Sequence, residues 1–135
     1  MIVVDASIII DLYTARDQRA ASIQDTLATG GTLHAPHLID VEVAGVMRRG
    51  VLHGRIEERV ARRVIASMDT LDVQRYPHQQ LMDRAWELMH AVTISDALYV
   101  ALAETLNATL FTSDERLSRA PGIRARVLVP GDEGA

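Results

Sequence analysis

The chain contains no cysteine, which excludes a disulfide scaffold, a thiolate metal site and a cysteine nucleophile. Lysine is absent as well. All 14 basic residues are arginine, so a P-loop phosphate clamp, Schiff-base chemistry and the lysine of phosphate-receiver domains are excluded with it. Aromatic residues are few, one Trp, three Tyr and one Phe, so base stacking is not expected to dominate a contact with nucleic acid. No apolar run reaches the roughly 18 residues that a membrane-spanning helix needs. The opening apolar run stops at Asp5, too short for a secretory signal, and cytoplasmic residence is the expectation. Positive charge is in deficit: 18 acids against 14 arginines give a net charge of −4. That balance argues against coating nucleic acid through bulk charge. Either the surplus acids are spread for solubility, or some are gathered where a cation sits.

What is present is an ordinary globular composition, 48% hydrophobic and 24% charged over 135 residues. That length suits one domain, expected over residues 1–130, with residues 131–135 as a flexible C-terminal tail. Short apolar runs alternate with helical patterns. Strands are predicted at 2–5, 32–35, 71–76, 109–111 and 126–129. Helices are predicted at 7–13, 17–29, 37–49, 55–68, 78–90 and 94–106, with a short one from about Asp114. Strands separated by helices imply right-handed βαβ units. The predicted fold class is α/β, a three-layer α/β/α sandwich on a parallel sheet. Ligands of such sheets bind beyond the carboxyl ends of the strands, near the point where strand order reverses.

Four acids then draw notice. Asp5 and Asp114 follow predicted strands, where each could equally be a helix N-cap. Glu42 lies on a helical stripe otherwise made of Leu38, Ile39, Gly45 and Val46, unless the helix phase is off by one and it is solvated. Asp96 shares a face with Tyr99, Val100 and Ala103, and Thr93-x-x-Asp96 also fits a capping arrangement. Carboxylates gathered in one cleft repel and persist as anions only beside a cation. An all-oxygen ligand set favours a hard ion, Mg²⁺ or Mn²⁺. Such an ion suits phosphodiester hydrolysis.

These segments, IVVDAS, LIDVEVAGVMRRG around Glu42, SDALYVALAE around Asp96 and LFTSDERL around Asp114, together resemble PIN-domain ribonucleases, and more narrowly the VapC toxins of bacterial toxin–antitoxin pairs. The resemblance covers essentially the whole chain and implies a five-stranded parallel sheet. It also implies a metal-dependent endoribonuclease, the toxin of a type II pair, that inhibits translation and growth. Asp5, Glu42, Asp96 and Asp114 match the family's acidic quartet, which binds one or two Mg²⁺ or Mn²⁺ ions. Ser7 and Thr112 match hydroxyl positions near the metal, or serve as cap and turn hydroxyls. An RNA substrate, a cognate antitoxin and a homodimer are implied as partners, the dimer face lying on apolar helices near residues 51–68 or 81–89.

Six arginines fall within residues 48–63. Arg48, Arg49 and Arg55 are candidates for RNA or partner contact, with a solvated face paired to Glu57 and Glu58 as the plainer reading. His34-x-x-His37 lacks a third metal ligand and is read as a pair of strand-end histidines. Met68, Met82, Trp86 and Met89 recur at helical spacings and are predicted core residues. Tyr13 and Tyr99 could stack on a base but read more simply as packing residues. Rival α/β classes lack their signatures. Ser7 stands where a haloacid-dehalogenase-like phosphatase carries its second acid, and Asp5-Ala6-Ser7 replaces a glycine-rich dinucleotide turn. A protein-binding module with weak or no catalysis is the remaining alternative.

Overall fold

The computed structural model describes residues 1–132; the last three positions of the expected tail lie outside the described residues. In chain order the elements are β1 (Ile2–Val4), α1 (Ala6–Thr14), α2 (Gln18–Thr29), β2 (Leu33–Pro36), α3 (Leu38–Leu52), α4 (Glu58–Thr70) and β3 (Val73–Tyr76). A 3₁₀ turn (Gln79–Leu81) leads into α5 (Met82–Glu87), followed by α6 (Ile94–Leu106), β4 (Thr109–Phe111), α7 (Glu115–Arg119) and β5 (Val127–Leu128). The strands form one sheet in the order β3-β2-β1-β4-β5, every neighbouring pair parallel. Helices flank the sheet, giving the three-layer α/β/α architecture.

Strand β1 is entirely buried and β-branched, as the centre of a parallel sheet requires. The chain leaves β1 for β2 and β3 on one side, then returns to lay β4 on the other. Strand order therefore reverses between β1 and β4, and the crevice beyond their carboxyl ends is where a ligand is received. The Asp5 N–H donates to the Phe111 carbonyl at 3.2 Å, joining those two ends directly.

Helix α6 packs on β1, β2 and β4 and is buried at every residue from Ala97 to Ala103. Thr93 caps its start, and Asn107 ends it in the left-handed conformation (φ 51°). A helix buried nearly all round shows only a weak amphipathic stripe, so the carboxylate in its first turn, Asp96, is conspicuous in the sequence.

Several boundaries differ from expectation. Helix α3 runs through Gly50 to Leu52 rather than ending at 49, because that glycine admits Ile56; a Cβ there would lie 2.4 Å from Ile56 Cδ1. The turn falls instead at Gly54, whose φ of 69° suits glycine. Helix α4 starts at Glu58, so Arg55 precedes it in the connecting turn. The expected helix 78–90 is a 3₁₀ turn and the short α5. Met68 is buried, but Met82, Trp86 and Met89 are exposed, which corrects their assignment to the core. Their spacing is helical, yet the inward face of this segment belongs to Leu81, Ala85 and Leu88. Two apolar stripes run along it, and composition alone favours the bulkier one.

Candidate metal centre

Asp5 leaves β1 and caps α1. Its Oδ1 accepts the Ser7 hydroxyl and, at 3.4 Å, the Ile8 N–H; its Oδ2 accepts the Thr112 hydroxyl at 2.5 Å. Ser7 in turn accepts the Ser113 N–H at 2.9 Å, and Thr112 accepts the Asp114 N–H at 3.0 Å. The two hydroxyls thus bolt the start of α1 to the β4–α7 turn with the carboxylate between them. Only 6% of Asp5 is exposed. Burial pushes its pKa up to about 6 against the pull of these hydrogen bonds, and the charge of Asp96 adds to the rise.

Glu42 projects from α3, half-buried, and its Oε1 accepts the Tyr99 hydroxyl at 2.6 Å. Burial raises its pKa, the Tyr99 hydrogen bond lowers it and Asp96 raises it again. Asp96 occupies the first turn of α6, where its N–H donates to the Thr93 cap at 3.2 Å. Burial raises its carboxyl, Thr93 lowers it, Asp114 raises it and Arg116 lowers it. Asp114 behaves oppositely. It caps α7, and Arg116 grips it with Nε to Oδ1 at 3.0 Å and Nη2 to Oδ2 at 2.8 Å, holding its carboxyl below the usual range.

All four acids line one cavity of about 470 Å³, shared with Ser7, Tyr99 and Arg49. Asp96 is its electrostatic hub, since its charge bears on Asp5, Glu42 and Asp114 alike. Among the described residues no three Asp, Glu or His side chains converge as they stand into a set that could hold an ion. The donors nevertheless suit a hard divalent cation. They are all oxygen, three are strained upward by burial with no bonded cation, and the fourth already binds a cationic group in Arg116. The hydroxyl of Ser113, next to Asp114 in the chain, is buried and finds no partner among the described residues.

Asp5 and Asp114 cap helices and Asp96 lies in a capped first turn, and all three also line the cavity. Arg49 reaches the cavity. Arg48 lines an apolar groove between α3 and α4, and Arg55 a separate cavity with Thr14 and Arg16. His34 is buried between the Thr32 and Tyr76 hydroxyls at 2.8 and 2.7 Å, while His37 is exposed. Sequence reasoning missed Tyr99 as the partner of Glu42 and Arg116 as the partner of Asp114. The signals were there: Tyr99 lies one helical turn beyond Asp96, and Arg116 two residues beyond a helix cap.

Comparison with known proteins agrees with this geometry. Residues 2–123 match the PIN domain family. Ribonuclease VapC1 of Mycobacterium tuberculosis is 40% identical over 126 residues, 93% of this chain and 94% of that protein. Among solved structures, VapC20 of M. tuberculosis, described as a sarcin–ricin loop cleaving toxin, superposes with a TM-score of 0.69 at 18% identity, covering 88% of this chain and 95% of that one. A toxin–antitoxin complex from Klebsiella pneumoniae gives 0.63 at 21% identity over 96% and 98% of the two chains. By its family match and by that 40% identical relative, the chain belongs to the PIN-domain family, among the VapC ribonucleases.

Proposed function

We propose that this chain is a divalent-metal-dependent endoribonuclease, the toxin of a type II toxin–antitoxin pair, which cuts RNA and so inhibits translation and growth. The observation that carries the reading is the meeting of Asp5, Glu42, Asp96 and Asp114 on one cavity at the switch point of the sheet, in a chain 40% identical to a named ribonuclease. Asp5, Asp96 and Asp114 would hold a Mg²⁺ or Mn²⁺ ion, and Glu42 would hold a second or orient the attacking water. When bound, such an ion lowers the pKa of a coordinated water and offsets charge on the phosphate.

The chain's own side chains supply the positioning. Ser7 and Thr112 keep the Asp5 carboxylate in one orientation. Tyr99 does the same for Glu42, whose carboxylate is a stronger base than an ordinary glutamate's because it is buried. Arg49, on the rim, offers a guanidinium to a backbone phosphate. The apolar side chains exposed on α5 and on the α3–α4 pair, Trp86 and Leu52 foremost, provide surface for a cognate antitoxin and for a second copy in a homodimer.

The test is cleavage of total cellular RNA by purified protein with Mg²⁺ or Mn²⁺, the ends mapped by sequencing. Cleavage is expected to need the ion and to disappear in Asp5→Asn. Full metal-dependent cleavage by that variant would overturn the assignment. Failure of the wild type to bind Mn²⁺ in a titration would favour a protein-binding module instead.

A further inference from the structure

Asp96 and Asp114 line two cavities. The second, about 440 Å³, is otherwise bounded by Met89, His90, Val92, Thr93, Arg116 and Leu117. Its lining is mixed. Besides the two shared carboxylates it holds one guanidinium, one imidazole and the Thr93 hydroxyl, with Met89, Ala91, Val92 and Leu117 as the apolar part. His90 is exposed and makes no hydrogen bond among the described residues. The Thr93 hydroxyl is engaged with Asp96, whose N–H it accepts at 3.2 Å. Arg116 spans the boundary, bidentate on Asp114 yet with 84% of its side chain exposed. Solvent screens such a pair, so the guanidinium exchanges readily for another anion.

A ligand that fills this cavity must carry negative charge beside Arg116 and a flat, weakly polar group against Met89, Val92 and Leu117. A bare anion leaves the apolar surface uncovered, and a purely apolar group leaves Arg116 and His90 without partners. A nucleotide meets both demands. We propose that the second cavity is a nucleotide subsite, where Arg116 takes the phosphate next to the scissile one and His90 and the apolar wall take the attached base. The proposal rests on the ribonuclease reading and narrows its substrate to RNA that is unpaired at this position, because a base in a duplex cannot enter a pocket. It also links binding to the metal site: when the Arg116 guanidinium moves to the RNA phosphate, Asp114 Oδ2 loses its bonded partner, while Oδ1 keeps the Arg116 N–H at 3.0 Å.

The experiment compares the wild type with Arg116→Ala, Arg116→Lys and His90→Ala on a single-stranded oligoribonucleotide at saturating Mn²⁺. Fluorescence anisotropy of the same oligonucleotide and Mn²⁺ titration of each protein accompany the kinetics. Loss of a charge-assisted phosphate contact is expected to raise KM and the dissociation constant by about tenfold for Arg116→Ala. Arg116→Lys is expected to recover part of that loss. His90→Ala should cost a few-fold, and Mn²⁺ affinity should not fall in Arg116→Ala. Unchanged RNA binding in Arg116→Ala and His90→Ala overturns the subsite, as does a loss of Mn²⁺ affinity that accounts for the whole effect. Unchanged RNA binding together with weaker inhibition by an antitoxin reassigns the cavity to a protein partner. Absence of cleavage by the wild type counts against the ribonuclease reading alone, since anisotropy still tests the subsite.

Discussion

Tyr99 does two jobs with one side chain. Its ring is 1% exposed and belongs to the core, while its hydroxyl reaches the cleft and donates to Glu42. Burial, first of all, and then Glu42 push its own pKa up, so it remains a donor throughout the working range. Tyr99→Phe keeps the packing and removes the donor. Loss of that bond costs about 1 kcal/mol of stability. It also lifts the Glu42 pKa further, since the hydrogen bond is what lowers it. With Glu42 acting ionised, the acid limb of the rate profile then shifts to higher pH. A pH–rate profile coincident with that of the wild type would remove Tyr99 from any role beyond packing. Glu42 and Asp96 stood out in the sequence because a carboxylate on an apolar stripe is anomalous, and Asp5 and Asp114 because they follow predicted strands. The place of Tyr99 one turn beyond Asp96 was visible, but its bond to Glu42 was not, because an aromatic residue there satisfies the stripe and hides its polar end.

Between elements, the clearest tie near the site is Arg75 on β3. Its Nε and Nη2 donate to Asp40 at 2.7 and 2.8 Å, and Nη2 also reaches the Met68 carbonyl at 2.9 Å. One side chain therefore joins β3, the first turn of α3 and the end of α4, two residues before Glu42. The Arg75 side chain is 23% exposed but that of Asp40 is 42%, so screening limits the pair. Arg75→Ala is expected to lower unfolding stability by about 1–2 kcal/mol, and Arg75→Lys to restore only part, because the fork geometry is lost. Urea unfolding checks this; equal midpoints for all three proteins would show that the clamp contributes nothing. The strand and helix order was readable because β-branched runs and punctuating Gly and Pro alternate along the chain. The phase of α5 was not. Burial of Leu81, Ala85 and Leu88 rather than Met82, Trp86 and Met89 depends on how α5 meets α6, a contact between segments that periodicity does not contain.

At the scale of the molecule, the surplus of acid acquires a location. With the four cleft acids set aside, 14 acids remain against 14 arginines, so the rest of the chain is formally neutral. The fold brings those four to one wall at a cost, most plainly at Asp5. With its pKa raised from 3.8 to about 6, the folded state holds this proton more tightly than the unfolded chain does. The contribution of Asp5 to stability is therefore greatest below pH 3.8, declines as pH rises to about 6 and stays diminished above it. Two units correspond to roughly 3 kcal/mol at neutral pH, less whatever the Ser7 and Thr112 hydrogen bonds lose on substitution. Asp5→Asn is thus expected to unfold several degrees higher than the wild type at pH 7.5 in chelator, and the gap should close toward pH 4. Adding Mn²⁺ should raise the wild-type Tm, because an ion bound only by the folded state stabilises it by mass action. The variant should gain far less. Differential scanning calorimetry across that pH range, with and without Mn²⁺, decides the matter. A variant that melts below the wild type in chelator, or gains as much from Mn²⁺, would mean that Asp5 serves the sheet edge and α1 rather than a cation.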